Sequence, residues 1–310
     1  MVLHPGLIVR ELTKTYHGKS LPALSGVNLE IHSGEVFGLI GPNGAGKTTF
    51  LCCLLGLLKP DFGEILIDGM YVDDLRVKAQ FGYVPERLQF EPWINGFDLV
   101  SFHHALAGGS RQACKTSVEL RLNQVGLEEA AWFKLVKTYS RGMLQRIALA
   151  QALIGNPKYL FLDEPTSGMD PSGVMQVRKI IQELKDKGTT IILNSHQLDQ
   201  VERICDKVAF LRGGKVQTIE VPTVGSEASH VIRIRLMGEI SRELLVKVAE
   251  LVNARLVGFG LNEAKFEVAH DKASAELLSA LSQNGVHFIE AIPEQNRLER
   301  LFFASETSSK

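Results

Sequence analysis

Gly41-Pro-Asn-Gly-Ala-Gly-Lys-Thr-Thr49 stands between an apolar run, Glu35-Val-Phe-Gly-Leu-Ile40, and an apolar segment of helical character, Phe50-Leu-Cys-Cys-Leu-Leu-Gly-Leu-Leu58. A buried strand, a glycine loop and a helix in that order give the G-x-x-x-x-G-K-[ST] pattern its phosphate-binding context. Gly41, Pro42, Asn43, Gly44, Ala45 and Gly46 form a loop whose backbone N–H groups can turn inward and approach a polyphosphate closely. The helix that follows points its positive end at the same place. Lys47 is positioned for the β- and γ-phosphates, the Thr48 hydroxyl for Mg²⁺, and Thr49 completes the loop. Without a ligand the same residues would be only a glycine-rich turn, and the flanking strand and helix favour the nucleoside-triphosphate site.

The remaining composition narrows the class. A chain of 310 residues favours two domains, the larger with room for a full core. Lys and Arg total 34 against 35 Asp and Glu, a net charge of −1, so no broad nucleic-acid surface and no nucleic-acid partner is expected. Cys52, Cys53, Cys114 and Cys205 lack C-x-x-C spacing and are expected to be free thiols in a reducing compartment. No run approaches the ~18 apolar residues of a membrane span, and the N-terminus lacks the basic-then-apolar order of a signal peptide. Any membrane role is therefore expected to come through a partner.

Alternation in Leu7–Leu12 and Leu24–Ile31 predicts antiparallel strands joined through a turn at Tyr16-His-Gly-Lys19. Another strand ends at Tyr83-Val-Pro-Glu86. Helical periods then run from about Glu91 to Lys137, including Gly96–Leu106 and Ala113–Val125, and continue in Ser140–Leu153 with Ser140 as N-cap. Tyr159–Asp163 and Thr189–Asn194 are apolar on both faces, as strands covered by helices should be, with a helix over Ser172–Lys187 between them. A hairpin turns at Gly213-Gly214. After a linker at Gly225–Ser229 the pattern reads β-α-β-β-α-β from Val231 to Ile292, a ferredoxin-like order, followed by a terminal helix over Asn296–Ala304.

In open α/β sheets ligands lie beyond the carboxyl ends of the strands. Asp163, at such an end, is expected to face the phosphates and to share Mg²⁺ with Thr48. Glu164 follows and suits the polarisation of an attacking water; alternatively it caps the next helix. His196 follows the next buried strand on the same edge, which favours a γ-phosphate contact over a structural role.

These segments together resemble the nucleotide-binding subunit of an ABC transporter, from about Leu7 to Ile219. The resemblance implies an α/β P-loop NTPase of ABC type at 1–222, with an antiparallel β subdomain and an inserted helical subdomain at about 87–155. A small C-terminal α+β domain occupies 226–310. It also implies that Tyr16 stacks on adenine, although a tyrosine in a turn is more often a packing residue. Tyr139-Ser-Arg-Gly-Met143 is similar to the family's signature, so Ser140, Arg141 and Gly142 would close on the ATP held by a second subunit. Ser167-Gly-Met-Asp-Pro171 resembles the loop that crosses between the two sites.

Three departures stand out. Arg141 and Met143 occupy signature positions usually held by other residues, Glu86 replaces a glutamine and is assigned to the metal, and Met169 replaces a leucine. Pro85-Glu86 with Tyr-Ser-basic-Gly-Met is similar to the ABC-2-type exporter group. The implied activity is ATP hydrolysis with Glu164, His196 and Lys47 as catalytic residues. It would be performed by a dimer, expected to be a homodimer, on the cytoplasmic face of a membrane, and would drive a separate permease. The alternatives are a soluble ABC ATPase acting on nucleic acid or ribosomes, and a regulatory subunit that binds ATP without turnover.

Overall fold

The computed structural model describes residues 5–195, 198–222, 230–238, 240–260, 262–269 and 271–293. Contacts divide the chain into two units, Met1–Pro222 and Thr223–Lys310. In the first, β1 (Pro5–Lys14) and β2 (Leu24–His32) pair antiparallel, and β2 buries every second residue or so as its alternation requires. β3 (Val36–Ile40) is buried throughout and leads through the glycine loop into α1 (Lys47–Leu54). The helix starts three residues earlier than the apolar run indicates. Gly46 takes φ +105° as its cap, so Lys47, Thr48 and Thr49 form its first turn. It also ends earlier, at a turn where Gly56 adopts φ +62°.

β4 (Phe62–Ile67) and β5 (Met70–Tyr71) extend the antiparallel sheet to the order β2-β1-β4-β5. A short α2 (Leu75–Lys78) precedes β6 (Phe81–Val84). Then come the inserted helices α3 (Gly96–Leu106), α4 (Cys114–Gln124), α5 (Glu129–Trp132) and α6 (Arg141–Leu153). The chain returns to the second sheet with β7 (Tyr159–Asp163), α7 (Pro171–Asp186), β8 (Thr190–Asn194), α8 (Leu198–Ile204), β9 (Lys207–Arg212) and β10 (Lys215–Glu220). That sheet has the order β10-β9-β3-β8-β7-β6, parallel except for the β9–β10 hairpin.

One apolar cluster joins both sheets: Leu7, Leu12 and Ile67 from the antiparallel sheet, Phe50 and Leu54 from α1, and Phe37 and Phe161 from the parallel sheet. Tyr159 is the polar tie across it. Fully buried on β7, it donates its hydroxyl proton in a bond to either the Gly6 carbonyl at 3.1 Å or the Asp68 carboxylate at 2.9 Å.

The second unit contains β11 (His230–Leu236), α9 (Arg242–Leu251), β12 (Arg255–Gly260), β13 (Glu263–Val268), α10 (Asp271–Gln283) and β14 (Phe288–Pro293). Its strands form an antiparallel sheet in the order β12-β13-β11-β14, over a core of Ile234, Leu245, Phe266, Leu277 and Leu281. Arg233 and Arg235 lie on the inner strand β11. Their charges meet Glu263 at 3.9 Å and Glu290 at 3.9 Å on the open face of the sheet. The expected linker at 225–229 and terminal helix at 296–304 fall outside the described residues.

Removing only the Tyr159 hydroxyl leaves the ring in place and deletes one hydrogen bond, while the Gly6 carbonyl keeps the Asp68 N–H and the Asp68 carboxylate keeps Lys158, a loss of about 0.5–1.5 kcal/mol. Tyr159→Phe is expected to keep the fold and lower the free energy of urea unfolding by that amount; an unchanged midpoint would show that the Tyr159 hydroxyl contributes nothing to joining the two sheets.

Candidate functional site

The parallel order puts the ends of β3, β8, β7 and β6 side by side, so the glycine loop, Asn194-Ser195, Asp163-Glu164 and Pro85-Glu86 share one edge. The loop is closely packed from behind. A Cβ on Gly46 would lie 2.4 Å from the Ala23 carbonyl oxygen, and one on Gly41 2.1 Å from that of Leu211. Glycine is therefore required at both positions for the approach of neighbouring backbone. Gly214 of the β9–β10 turn donates its N–H to Ala45 at 3.1 Å and accepts from Ser25 at 2.8 Å, fixing the loop against the antiparallel sheet. Thr48 is exposed in the first turn of α1, whose leading N–H groups have no partner within the helix.

Lys47 folds back over the loop, donating to the carbonyls of Gly41 at 2.7 Å and Pro42 at 3.2 Å. Burial holds its ammonium below the usual lysine range, while the carboxylates of Glu164, Asp163 and Glu86 pull the other way. Asp163 is buried and its carboxyl is pushed up to about 6, first by burial and then by Glu86 and Glu164; the Asn194 amide and Lys47 oppose that rise. Asn194 donates Nδ2 to Asp163, and its own Oδ1 has no hydrogen-bond partner among the described residues. Glu164 is buried with a left-handed backbone, φ +53°, held by its N–H to the Asn194 carbonyl at 2.9 Å. The Ser195 hydroxyl lies 3.4 Å from its carboxylate. His196 falls outside the described residues. Glu86 is exposed, close enough to act on both Asp163 and Lys47.

Tyr16 is half-exposed beside the loop, its hydroxyl 3.2 Å from that of Thr49. Asp61 holds the turn that carries it, accepting from the Thr15 N–H at 2.6 Å and the Lys14 ammonium at 2.9 Å. Ser140 caps α6, accepting from the Met143 N–H at 3.3 Å. Arg141 donates to the Ser167 hydroxyl at 2.8 Å, and Asp170 caps α7 through the Gly173 N–H at 2.9 Å. Among the described residues, no hydrogen bond or ion pair joins Ser140, Arg141 or Gly142 to the loop 41–49 of the same chain.

Sequence reasoning passed over Asn194, Ser195 and Asp61. The first two were visible only as the end of a buried strand, and a polar pair at that edge was the available signal. Asp61, beyond Pro60, carried none, because its partnership with residues 14 and 15 is created by the β1–β4 pairing. A separate cavity of about 660 Å³ opens between the segment after β6 and the helices α3 and α6, lined by Tyr83, Leu88, Phe90, Trp93, Phe102 and His103 among others.

This edge, with its phosphate loop and strand-end carboxylates beside an inserted helical segment, is that of an ABC-type ATP-binding cassette. Residues 24–167 match the ABC transporter family. An ABC transporter ATP-binding protein of Bacillus subtilis, YcbN, is 32% identical over 94% of both chains. The linearmycin resistance ATP-binding protein LnrL of the same organism is 29% identical over 96% of both. The chain belongs to the ABC transporter ATP-binding proteins. Matches to Nostoc and Synechocystis members, each 39% identical, span only 64% and 60% of those relatives. The dimeric cassette MJ0796, solved in a post-hydrolysis state bound to ADP and Pi, superposes with a TM-score of 0.66 at 25% identity, over 71% of this chain and all of that one.

Because the folded-state pKa of Asp163 is raised, its ionisation opposes folding: the penalty is absent below about pH 4, grows towards pH 6 and is complete above it. In nucleotide-free, metal-free protein, Asp163→Asn is therefore expected to melt higher than the parent at pH 7.5, with the difference vanishing near pH 4. A difference independent of pH would mean that Asp163 is not held in this uncompensated state.

Proposed function

We propose that this chain hydrolyses ATP as one half of a dimer and thereby drives a separate membrane permease. The observation that carries the reading is the placement of Asp163 and Glu164 beside Lys47 at the carboxyl edge of the parallel sheet. The loop N–H groups and Lys47 would bind the β- and γ-phosphates, with Tyr16 against the base. Adenine recognition through a ring face demands little side-chain geometry, in keeping with the exposure of Tyr16.

The residues also suit Mg²⁺. No group of three His, Cys, Asp or Glu side chains among the described residues could cage a metal. Mg²⁺ seldom uses such a cage; it binds through one or two protein groups together with substrate phosphates and waters. Thr48 and Asp163 are those groups in this reading, with Glu86 adding negative potential at the site. Mg²⁺ would neutralise phosphate charge as it develops. Glu164 would orient the attacking water and accept its proton, and His196 would contact the γ-phosphate.

Ser140, Arg141 and Gly142 make no bond to the loop of their own chain, which fits their serving a second copy's nucleotide. ATP would then favour the closed dimer because only that state is bound from both sides. No helix among the described residues is long and apolar enough to cross a membrane. Attachment to the cytoplasmic face would come through the permease, with the aromatic cavity beside α3 as the docking surface. The lean towards export rests on the ABC-2-type motifs and on the match to LnrL over almost its whole length. The Nostoc, Synechocystis and YcbN relatives carry the name of ABC transporter ATP-binding proteins, which does not favour the nucleic-acid reading.

Glu164→Gln is expected to bind ATP normally, lose at least roughly 100-fold in turnover and accumulate as an ATP-bound dimer on size exclusion; wild-type turnover would remove Glu164 from the base role. Lys47→Ala should lose most ATP affinity in equilibrium titration, and an unchanged isotherm would contradict the phosphate assignment.

A further inference from the structure

Arg141 is out of place by the rules of an isolated helix. It opens α6, where the unsatisfied N–H groups already concentrate positive charge. Its hydrogen bond goes to the neutral hydroxyl of Ser167, 26 residues away, rather than to a carboxylate. The contact is also shaped for it. Gly168 has φ +73°, and a Cβ there would come within 2.3 Å of Arg141 Nε and 2.4 Å of its Cδ, so the arginine lies across bare backbone. Local helix electrostatics oppose this residue, and the fit belongs to the loop after β7.

The two segments it joins act on different nucleotides in the dimer proposed above, and the inference rests on that reading. Ser140, next to Arg141, belongs to the partner's triphosphate. Ser167 belongs to a tight turn that begins at Glu164: the Ser167 N–H donates to the Glu164 carbonyl at 3.1 Å, and the Met169 N–H to that of Thr166 at 3.2 Å. The path from one site to the other is thus Ser140, Arg141, Ser167, Glu164, and the Arg141–Ser167 hydrogen bond carries it from one segment to the other. We infer that Arg141 is a positioning residue that clamps the start of α6 to the loop after Glu164, so that closure over the partner's ATP sets the water-orienting carboxylate of its own site. In this scheme the Arg141 side chain is engaged by Ser167, and only its backbone stays with Ser140 and Gly142 in the segment that meets the partner's nucleotide. Its effect is a coupling between sites, of the size that a linked pair of contacts ordinarily carries.

The test compares full-length parent, Arg141→Ala, Ser167→Ala, the double variant and Arg141→Lys, reading turnover against ATP concentration and the ATP-driven dimer in a Glu164→Gln background. The parent should show a Hill coefficient above one. Each single alanine variant should bring it towards one and lower kcat by roughly tenfold, with a smaller change in KM and an unchanged unfolding midpoint. The double variant should be no worse than the poorer single, because both remove the same bond. Arg141→Lys, which can still donate to Ser167, should recover part of the cooperativity. A non-cooperative parent, additive losses, or alanine variants with parental cooperativity would overturn the clamp. If the Glu164→Gln protein forms no ATP-dependent dimer, even with membranes containing its permease, the dimer reading itself fails and the clamp fails with it; a dimer that forms while the cooperativity result is negative condemns the clamp alone.

Discussion

A carboxylate that is costly to ionise, Asp163, faces a lysine that is costly to protonate, Lys47, and the first unit is built to keep them together. Burial shifts each group towards neutrality while the opposite charge restrains the shift. In water such a pair would separate. Here the parallel pairing β3–β8–β7 fixes the strand ends, with Asp163 in register with Asn194 and Leu39 in register with the same residue from the other side. The position of Asp163 therefore follows from backbone hydrogen bonds between the strands. In the proposed function a triphosphate and a cation would supply the charges that offset the cost of ionising this pair.

The antiparallel sheet serves the same end from behind. It holds Ala23 and Leu24 against Gly46, and through Asp61 it sets the turn bearing Tyr16. Its attachment to the parallel sheet runs through a shared apolar cluster and through Tyr159, whose position on β7 lies four residues before Asp163. Tyr16 and the glycine loop thus come from different sheets but share one core. The second unit has a core of its own, and its open sheet face pairs Arg233, Arg235 and Arg255 with Glu263, Glu290 and Glu267. Those exposed pairs are each worth little in stability.

What could be read from the sequence were features whose cause is local. The glycine loop, the Ser140 cap, the Gly213-Gly214 turn and the doubly apolar strands β7 and β8 each carry their reason within a few residues. The start of α1 was misplaced because apolar periodicity begins at Phe50, whereas the helix is nucleated by the left-handed conformation of Gly46. β4 was missed for a different reason: Phe62-Gly-Glu-Ile-Leu-Ile67 alternates poorly, and its register with β1 includes a bulge. The roles of Asn194 and Asp61 exist only after strands distant in sequence have paired, so no periodicity could announce them. Arg141 was visible as a departure from the signature, but its partner Ser167 was not, because that contact depends on the loop after β7 folding back to α6.

Glu164 shows how the edge converts stability into geometry. A non-glycine residue at φ +53° costs on the order of 1–2 kcal/mol, and a glycine there would avoid that cost while discarding the carboxylate. The strain is tolerated because the Glu164 N–H is secured by the Asn194 carbonyl and its own carbonyl by Ser167. One restraint comes from the neighbouring strand β8, and the other from the turn that Glu164 itself begins. The sharp reversal turns the chain away from the sheet immediately after Asp163, so two adjacent carboxylates occupy different environments: one engaged by an amide inside the sheet, the other beside a serine hydroxyl at its rim. Adjacent residues on an undistorted strand would point to opposite faces. The left-handed residue is what lets a single strand end present both carboxylates to the same loop lysine.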